Sequence, residues 1–204
     1  CKAMLETGRL PDFITVDGGE GGTGAAPPSF ADHVSLPWVY GFSDLYRLFK
    51  NKNLTERIVF IGSGKLGFPA KAAMAFAMGV DCINVAREAM MSIGCIQAQI
   101  CHTNRCPSGI ATQSKWLQNG IDPTLKSERL AQYFKTFRKE LIEITHAAGY
   151  EHPCQFKMSD IEINVDDHNI SSHLSKTYQY EKTPVPFTSM QALKECVYLG
   201  ATYN

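Results

Sequence analysis

Residues 58–79, IVFIGSGKLGFPAKAAMAFAMG, decide the fold. A short apolar, β-favouring run comes first, and a glycine-rich turn follows it. An alanine- and methionine-rich run then begins at Pro69, where proline suits the first turn of a helix, and Gly79 is placed to end that helix. The strand residues do not alternate between polar and apolar, which favours a strand covered on both faces. This stretch predicts one strand–turn–helix unit of a parallel α/β fold.

Similar units lie on either side of this stretch. Residues 13–16 form a short apolar strand that runs into a glycine-dense loop, and residues 82–86 form a third strand. A helix is expected near residues 88–100, and another after Pro37, where apolar residues recur at helical spacing. Those residues are Val39, Phe42, Leu45, Tyr46 and Phe49. The βαβαβα order predicts a parallel sheet with its functional loops at the carboxyl ends of the strands.

The character of the chain changes near residue 121. Asp122 and Pro123 form a good helix start, and Gly149 is a plausible stop. One apolar stripe connects them, formed by Leu130, Phe134, Phe137, Leu141, Ile144 and Ala148. Residues 150–204 are polar and weakly periodic, which predicts an irregular tail laid over the core. We therefore divide the chain into an α/β part, residues 1–120, and a helical and irregular C-terminal extension, residues 121–204.

Composition excludes several classes of protein. The 204 residues carry 20 Lys and Arg and 20 Asp and Glu, so a nucleic-acid binder driven by bulk positive charge is excluded. A hydrophobic fraction of 44% excludes wholesale disorder. No stretch approaches the roughly 18 apolar residues of a membrane helix, although an anchor upstream of Cys1 is not excluded. Seven cysteines cannot all pair internally, which favours a reducing, cytoplasmic setting.

Three cysteines are crowded into twelve residues as Cys95-x5-Cys101-x4-Cys106. Three thiolates at such short spacing can converge on one iron–sulfur cluster, since sulfur is the ligand that these clusters use. Three protein ligands suit a three-iron cluster, or a four-iron cluster with one open corner. Zinc with His102 as the fourth ligand is an alternative. The third interpretation is three buried free cysteines.

The glycine turn at residues 62–67, GSGKLG, follows a strand and precedes a helix. It matches the dinucleotide fingerprint G-x-G-x-x-G, for which Glu88 would be the acid that binds the ribose. It is not a Walker loop, because Leu66 follows Lys65. More generally, backbone N–H groups of the turn and of the next helix attract a phosphate, to which Arg87 would add a charged fork. The alternative is a tight turn that needs glycine only for its geometry.

The loop DGGEGGTG, residues 17–24, is the third candidate site. Its glycines allow the backbone to approach a flat ligand closely. The carboxylates of Asp17 and Glu20 would orient a substrate amine or transfer a proton. The alternative is that they accept hydrogen bonds from backbone N–H groups of their own loop.

Together these motifs resemble the FMN-binding domain of glutamate synthase. The resemblance rests on residues 17–27, on the turn at residues 62–67 and above all on residues 94–113, GCIQAQICHTNRCPSGIATQ. It is strongest toward the stand-alone glutamate-synthase-related proteins, and it covers residues 1–150.

The resemblance implies the C-terminal part of a (β/α)8 TIM barrel. Residues 13–24 would be strand six and its loop, residues 58–67 strand seven, and residues 82–87 strand eight. The FMN phosphate would lie after strands seven and eight, in agreement with the rule for barrel phosphate sites. Its implied ligands are Gly62, Ser63, Gly64, Lys65, Ala86 and Arg87. The residues implied near the flavin and the substrate are Gly18, Gly19, Gly21, Gly22 and Thr23, with Asp17 and Glu20 as catalytic candidates.

The resemblance also implies a reaction. Cys95, Cys101 and Cys106 match the ligands of a 3Fe-4S cluster that passes electrons to FMN, and a donor such as ferredoxin or a reductase subunit would supply them. Reduced FMN would then reduce the imine formed from 2-oxoglutarate and ammonia, giving glutamate. The first strands of the barrel would lie upstream of Cys1. We therefore expect the isolated chain to bind FMN poorly, to be inactive and to self-associate through its exposed sheet edge.

Two other functions remain open from the sequence. One is a Rossmann-type nicotinamide oxidoreductase, which the glycine loop at residues 18–24 does not suit. The other is a non-catalytic domain that uses its cysteines to sense redox state or to bind a partner.

Overall fold

Three parallel strands form the centre of the structure, a computed structural model that describes residues 1–21, 26–31, 34–164 and 171–183. The strands are β1 (Phe13–Asp17), β2 (Val59–Ser63) and β3 (Cys82–Asn84), and a short antiparallel pair follows, β4 (Glu162–Asn164) and β5 (Ser171–His173). The helices are α1 (Lys2–Thr7), α2 (Pro28–Ala31), α3 (Trp38–Lys50), α4 (Pro69–Met78), α5 (Arg87–Ser92), α6 (Lys115–Gln118), α7 (Pro123–Ala147) and α8 (Leu174–Tyr178).

The sheet has the strand order β1–β2–β3, and both of its pairings are parallel. Asp17 pairs with Ser63, and Ser63 pairs with Asn84, so the carboxyl ends of all three strands lie side by side. The predicted parallel α/β architecture is therefore confirmed.

The expectation that both faces of the strands are covered is wrong within the described chain. One face buries Phe60 against α3, but on the other face Phe13 is 59% exposed and its neighbour Val59 is 43% exposed. Phe13 and Val59 are paired in the register of β1 and β2, so their side chains lie side by side on the same face of the sheet. No described layer covers this second face.

Helix α3 supplies most of the aromatic core. Phe42, Tyr46 and Phe49 of the predicted stripe are buried, whereas Val39 and Leu45 are only partly buried. Each fully buried side chain of this size contributes about 1.5–3 kcal/mol. Trp38 begins the helix and stacks on Phe42 with ring centroids 4.8 Å apart.

Helix α4 has the predicted bounds and packs beneath α7. Its small side chains Ala72, Ala73 and Ala77 are buried with Leu141 of α7 and with Phe156. The predicted start of α7 is also confirmed, since the Asp122 carboxylate accepts hydrogen bonds from the N–H groups of the first turn. Other residues of the stripe are more exposed, with Phe134 at 41%, because only one side of this helix contacts α4.

The predicted helix over residues 88–100 is wrong in extent. Helix α5 ends at Ser92, and Gly94 follows with a φ of +109°. Gln97 and Gln99 also have positive φ, a conformation that cannot continue a right-handed helix. The segment that approaches the cysteines is therefore a loop.

The last described part of the C-terminal extension, residues 150–164 and 171–183, packs on the core. Met158, Leu174 and Tyr180 are buried in the same cluster as Trp38. It is more ordered than predicted, since it contains β4, β5 and α8. Residues 165–170 and 184–204 lie outside the described residues.

Candidate functional site

The carboxyl edge of the sheet brings together the loops that the sequence predicts to be functional. Gly18 N–H donates to Ser63 O at 2.9 Å, so the loop after β1 lies directly beside the turn after β2. Asp17, the last residue of β1, is exposed at this edge. The predicted substrate loop and the predicted phosphate turn are thus neighbours.

The glycine turn after β2 rests on Trp38. A Cβ atom on Gly64 would lie 2.4 Å from Trp38 Cβ, and one on Gly62 would lie 3.0 Å from Trp38 Cζ2. Lys65 follows with a φ of +53°. Gly64 can therefore carry no side chain, because its backbone contacts the first residue of α3. Trp38 stands just outside the predicted apolar stripe of α3, so helical periodicity does not reveal its contact with the turn.

The far end of the turn is held by α7. Tyr133 Oη donates to Gly67 O at 2.7 Å. Burial first, and then the negative charge of Glu88, raise the pKa of Tyr133 to about 12, so the phenol stays a donor at neutral pH. Glu88 is buried at 5% exposure beside Gly67. It does not lie at the exposed edge, where an acid that binds a ribose would be needed.

Ala86 and Arg87 stand at the start of α5, immediately after β3. Ala86 is exposed and Arg87 is half-buried. Because β2 and β3 are adjacent, these two residues follow the strand beside the glycine turn. The structure therefore brings the predicted phosphate ligands to neighbouring strand ends, with Gly62 and Ser63 at the end of β2 and Gly64 and Lys65 in the turn after it.

The loop after β1 is folded inward. Gly19 N–H donates to Leu36 O at 2.7 Å, and the Glu20 carboxylate accepts from Trp38 N–H at 2.7 Å. Glu20 therefore has the backbone-bonded role that the sequence left open, although the N–H belongs to α3. Gly21 has a φ of +80°. Gly22 and Thr23 lie outside the described residues.

The three cysteines line one small cavity. Its walls are Cys95, Ile96, Ala98, Gln99, Ile100, Cys101, Cys106, Pro107 and Ser108. Cys106 is buried, whereas Cys95 and Cys101 are half-buried. The other described cysteines, Cys1, Cys82 and Cys154, do not line this cavity. The three cysteines therefore share one cavity, and their role as ligands of a common group stays a prediction.

The backbone around Cys106 is shaped to hold a thiolate. Burial by itself raises the pKa of the Cys106 thiol, but backbone N–H groups act against it and bring the pKa below its ordinary value. These N–H groups belong to Ala111, Ser108, Ile110 and Gly109. Hydrogen bonds to sulfur are also one of the means by which a protein tunes an iron–sulfur cluster.

In the described ranges, no group of three His, Cys, Asp or Glu side chains is arranged to hold one metal ion. His102, the fourth ligand of the zinc alternative, is exposed. The cluster and the zinc site therefore both stay predictions.

Over the part of the chain that the structure covers, no helix combines the length and the apolar character needed to cross a membrane.

These features are those of a parallel α/β chain that carries a glycine turn at a strand end and a loop in which three cysteines line one cavity. Comparison with known sequences then gives the family. The family described as the conserved region in glutamate synthase matches residues 3–151, so the chain belongs to the glutamate synthase family.

Several relatives support this assignment. The chain is similar to the glutamate synthase large subunit-like protein YerD of Bacillus subtilis (40% identity; 82% of this chain and 32% of the relative). It is similar to the archaeal glutamate synthase [NADPH] of Methanocaldococcus jannaschii (35% identity; 68% and 27%). It is also similar to the chloroplastic ferredoxin-dependent glutamate synthase of Spinacia oleracea (32% identity; 90% and 11%). The chain thus spans about a third or less of the length of these relatives.

Proposed function

We propose that the chain is the cofactor-binding C-terminal part of a glutamate-synthase-type oxidoreductase that uses FMN and a 3Fe-4S cluster. The observation that carries this proposal is the loop in which Cys95, Cys101 and Cys106 line one cavity within a chain of this family. Residues 1–120 would form the cofactor part, and residues 121–204 an extension that supports it.

The FMN phosphate would bind at the carboxyl edge of the sheet. Backbone N–H groups of residues 62–65 would donate to it, and the first turn of α5 with Arg87 would add positive charge from the neighbouring strand end. When bound, FMN supplies a carrier that accepts single electrons and delivers a hydride. Asp17, exposed at the same edge, is the proposed proton-transfer group.

The cluster would be held by the three cysteines. Thiolates are the protein ligands of iron–sulfur clusters, and the N–H groups around Cys106 favour the deprotonated form that ligation requires. The half-buried Cys95 and Cys101 leave this loop open to an electron donor. The names of the relatives support two classes of donor, ferredoxin in Spinacia oleracea and NADPH in Methanocaldococcus jannaschii.

Glutamate is the proposed product, from the names of the relatives, and 2-oxoglutarate is the proposed substrate, as the resemblance implies. The barrel is proposed from the sheet itself. Its uncovered face carries Phe13 and Val59, and β1 and β3 are its edges. Further parallel strands from the longer protein would pair with those edges and bury this face. Exposed apolar strands are otherwise prone to aggregation.

The experiment is an anaerobic absorption spectrum of the full-length protein, with iron and sulfide analysis. Flavin bands with about three irons per chain are expected, as three cysteine ligands suit a three-iron cluster. Flavin without iron would contradict the role of the cysteines. If neither cofactor were found, the non-catalytic interpretation would replace this proposal.

A further inference from the structure

The Glu20 side chain caps the start of helix α3, for which the preceding residue provides no side-chain cap. Helix α3 starts after Pro37, which has no side-chain acceptor for the first N–H groups. Glu20 Oε1 accepts from Trp38 N–H at 2.7 Å across eighteen residues of sequence. A carboxylate at this end also complements the helix dipole. The loop after β1 is thus fastened to the start of α3.

The second oxygen of Glu20 is in an unusual place. Glu20 Oε2 is buried and has no hydrogen-bond partner in the part of the chain that the structure describes. A Cβ atom on Gly18 would lie 2.1 Å from it, and one on Gly64 would lie 3.1 Å from it. This oxygen therefore occupies the space between the backbones of two loops.

Trp38 contacts the same turn from beneath. Its indole Nε1 is likewise buried without a partner among the described residues, and its Cβ lies 2.4 Å from the Cβ position of Gly64. The Glu20 carboxylate fixes the backbone of Trp38, and both side chains back the glycine turn. A shift of either would therefore move the N–H groups of residues 62–65.

We propose that Glu20 is a positioning residue that sets the geometry of the glycine turn, and not a group that acts on the substrate. Its carboxylate holds the loop after β1, the start of α3 and Gly64 in one arrangement. The inference rests on the proposed function only for the identity of the anion, FMN phosphate. The geometric coupling does not depend on which anion binds.

The test uses the full-length protein and compares Glu20→Ala, Glu20→Gln and the control Glu56→Gln. Glu56 is an exposed acid in the turn Thr55–Arg57, which precedes β2 at the opposite edge of the sheet. Amide hydrogen exchange is followed in peptides covering residues 38–42 and 62–66. FMN and inorganic phosphate are the binding probes, and thermal unfolding monitors overall folding.

Glu20→Ala should increase exchange in both peptides about fivefold to tenfold, the range expected for a lost helix cap, and should weaken FMN binding by a similar factor. Glu20→Gln keeps an oxygen for Trp38 N–H and should restore most of the protection. Faster exchange confined to residues 38–42, with FMN affinity unchanged, would reduce Glu20 to a helix cap and overturn the inference. If the wild-type protein does not bind FMN, the proposed function fails, but the exchange of residues 62–66 still decides the role of Glu20.

Discussion

The cysteine loop, residues 94–113, and the C-terminal extension, residues 150–164 and 171–183, differ in how they are held. The cysteine loop carries the clearest motif of the sequence, and the hydrogen bonds of Asn104 within it join residues close in sequence. The extension carries no recognisable motif, yet it buries Met158, Leu174 and Tyr180 in the main core. The clearest sequence motif and much of the support for the core therefore lie in different segments of the chain.

The end of the extension, residues 180–183, fastens the C-terminal end of α4. Tyr180 Oη donates to Met78 O at 3.0 Å, and Lys182 Nζ donates to Phe76 O at 3.0 Å. Lys182 Nζ also donates to Cys154 O. Tyr180 donates to a carbonyl of the last helical turn, and Lys182 adds a second donor to Phe76 O, which also accepts from Gly79 N–H. The ammonium also complements the helix dipole.

The cysteine loop is instead tied by short local bonds. Asn104, at a φ of +63°, accepts at its side chain from Gln113 N–H at 2.6 Å and at its carbonyl from Thr112 Oγ1 at 2.7 Å. Gln97 and Gln99 also have positive φ. Such residues cluster at ligand-binding loops, where the bound group adds what local packing does not.

The largest expected effect is on the cysteine loop. In the full-length protein, Cys101→Ser should remove essentially all cluster iron and leave the flavin bound, because the two sites use different residues. Iron analysis and the absorption spectrum measure both. Cys82→Ser, at a cysteine outside the cavity, is the control and should keep the iron. Simultaneous loss of iron and flavin would show that the sites are not separate.

The next effect concerns the support from the extension. Leu174 is fully buried, so Leu174→Ala should lower the local stability of α3 by about 2–5 kcal/mol. Hydrogen exchange of the α3 amides measures this opening free energy. The control Leu5→Ala changes a side chain that is 48% exposed and should stay within about 0.5 kcal/mol of wild type. An unchanged α3 would mean that the extension only covers the core.

A smaller effect depends on pH. Burial lowers the pKa of Lys182 to about 8 from its ordinary value of 10.5. Between these values the unfolded chain binds more protons than the folded one, so stability should rise with pH, by at most about 2 kcal/mol from pH 8 to 9.5. The thermal unfolding midpoint measures this rise. Lys182→Met should flatten it, whereas Lys176→Met, at an exposed residue of α8, should not. A rise that persists in Lys182→Met would assign it to another group.

The smallest effect is at the glycine turn. Tyr133→Phe removes the hydrogen bond to Gly67 O, which should cost about 1 kcal/mol. Exchange of amides in residues 62–67 should increase about fivefold, the factor that corresponds to this energy, while Tyr40→Phe at an exposed site of α3 leaves it unchanged. If both substitutions changed the amide exchange equally, the hydrogen bond from α7 would not be what holds the turn.

Local chemistry made part of the fold predictable. The start of α4 at Pro69, its end at Gly79 and the capping of α7 by Asp122 depend on residues close in sequence, and all three are confirmed. The extent of α5 was not predictable, because the positive φ of Gln97 and Gln99 is set by the loop as a whole.

The residue types of the candidate site were predictable from the sequence, but the contacts that hold the surrounding structure in place were not. The shared cavity of the cysteines follows from their spacing. The contact of Glu20 with Trp38 joins residues eighteen apart in sequence, and that of Lys182 with Phe76 joins residues 106 apart. Neither contact produces a periodic pattern in the sequence. A lysine in a polar segment predicts exposure, whereas the carbonyl groups of Phe76 in α4 and of Cys154 accept hydrogen bonds from the buried ammonium of Lys182.

Helix α4 begins after the glycine turn and ends at the bonds from residues 180–183. Its ten residues span about 15 Å. Thermodynamic linkage makes any coupling between its two ends reciprocal. If an anion bound at the turn strengthened the docking of residues 180–183 by a given free energy, that docking would strengthen the binding of the anion by the same free energy. With such coupling, a segment without any ligand-binding motif would contribute to the affinity for an anion at the opposite end of a helix.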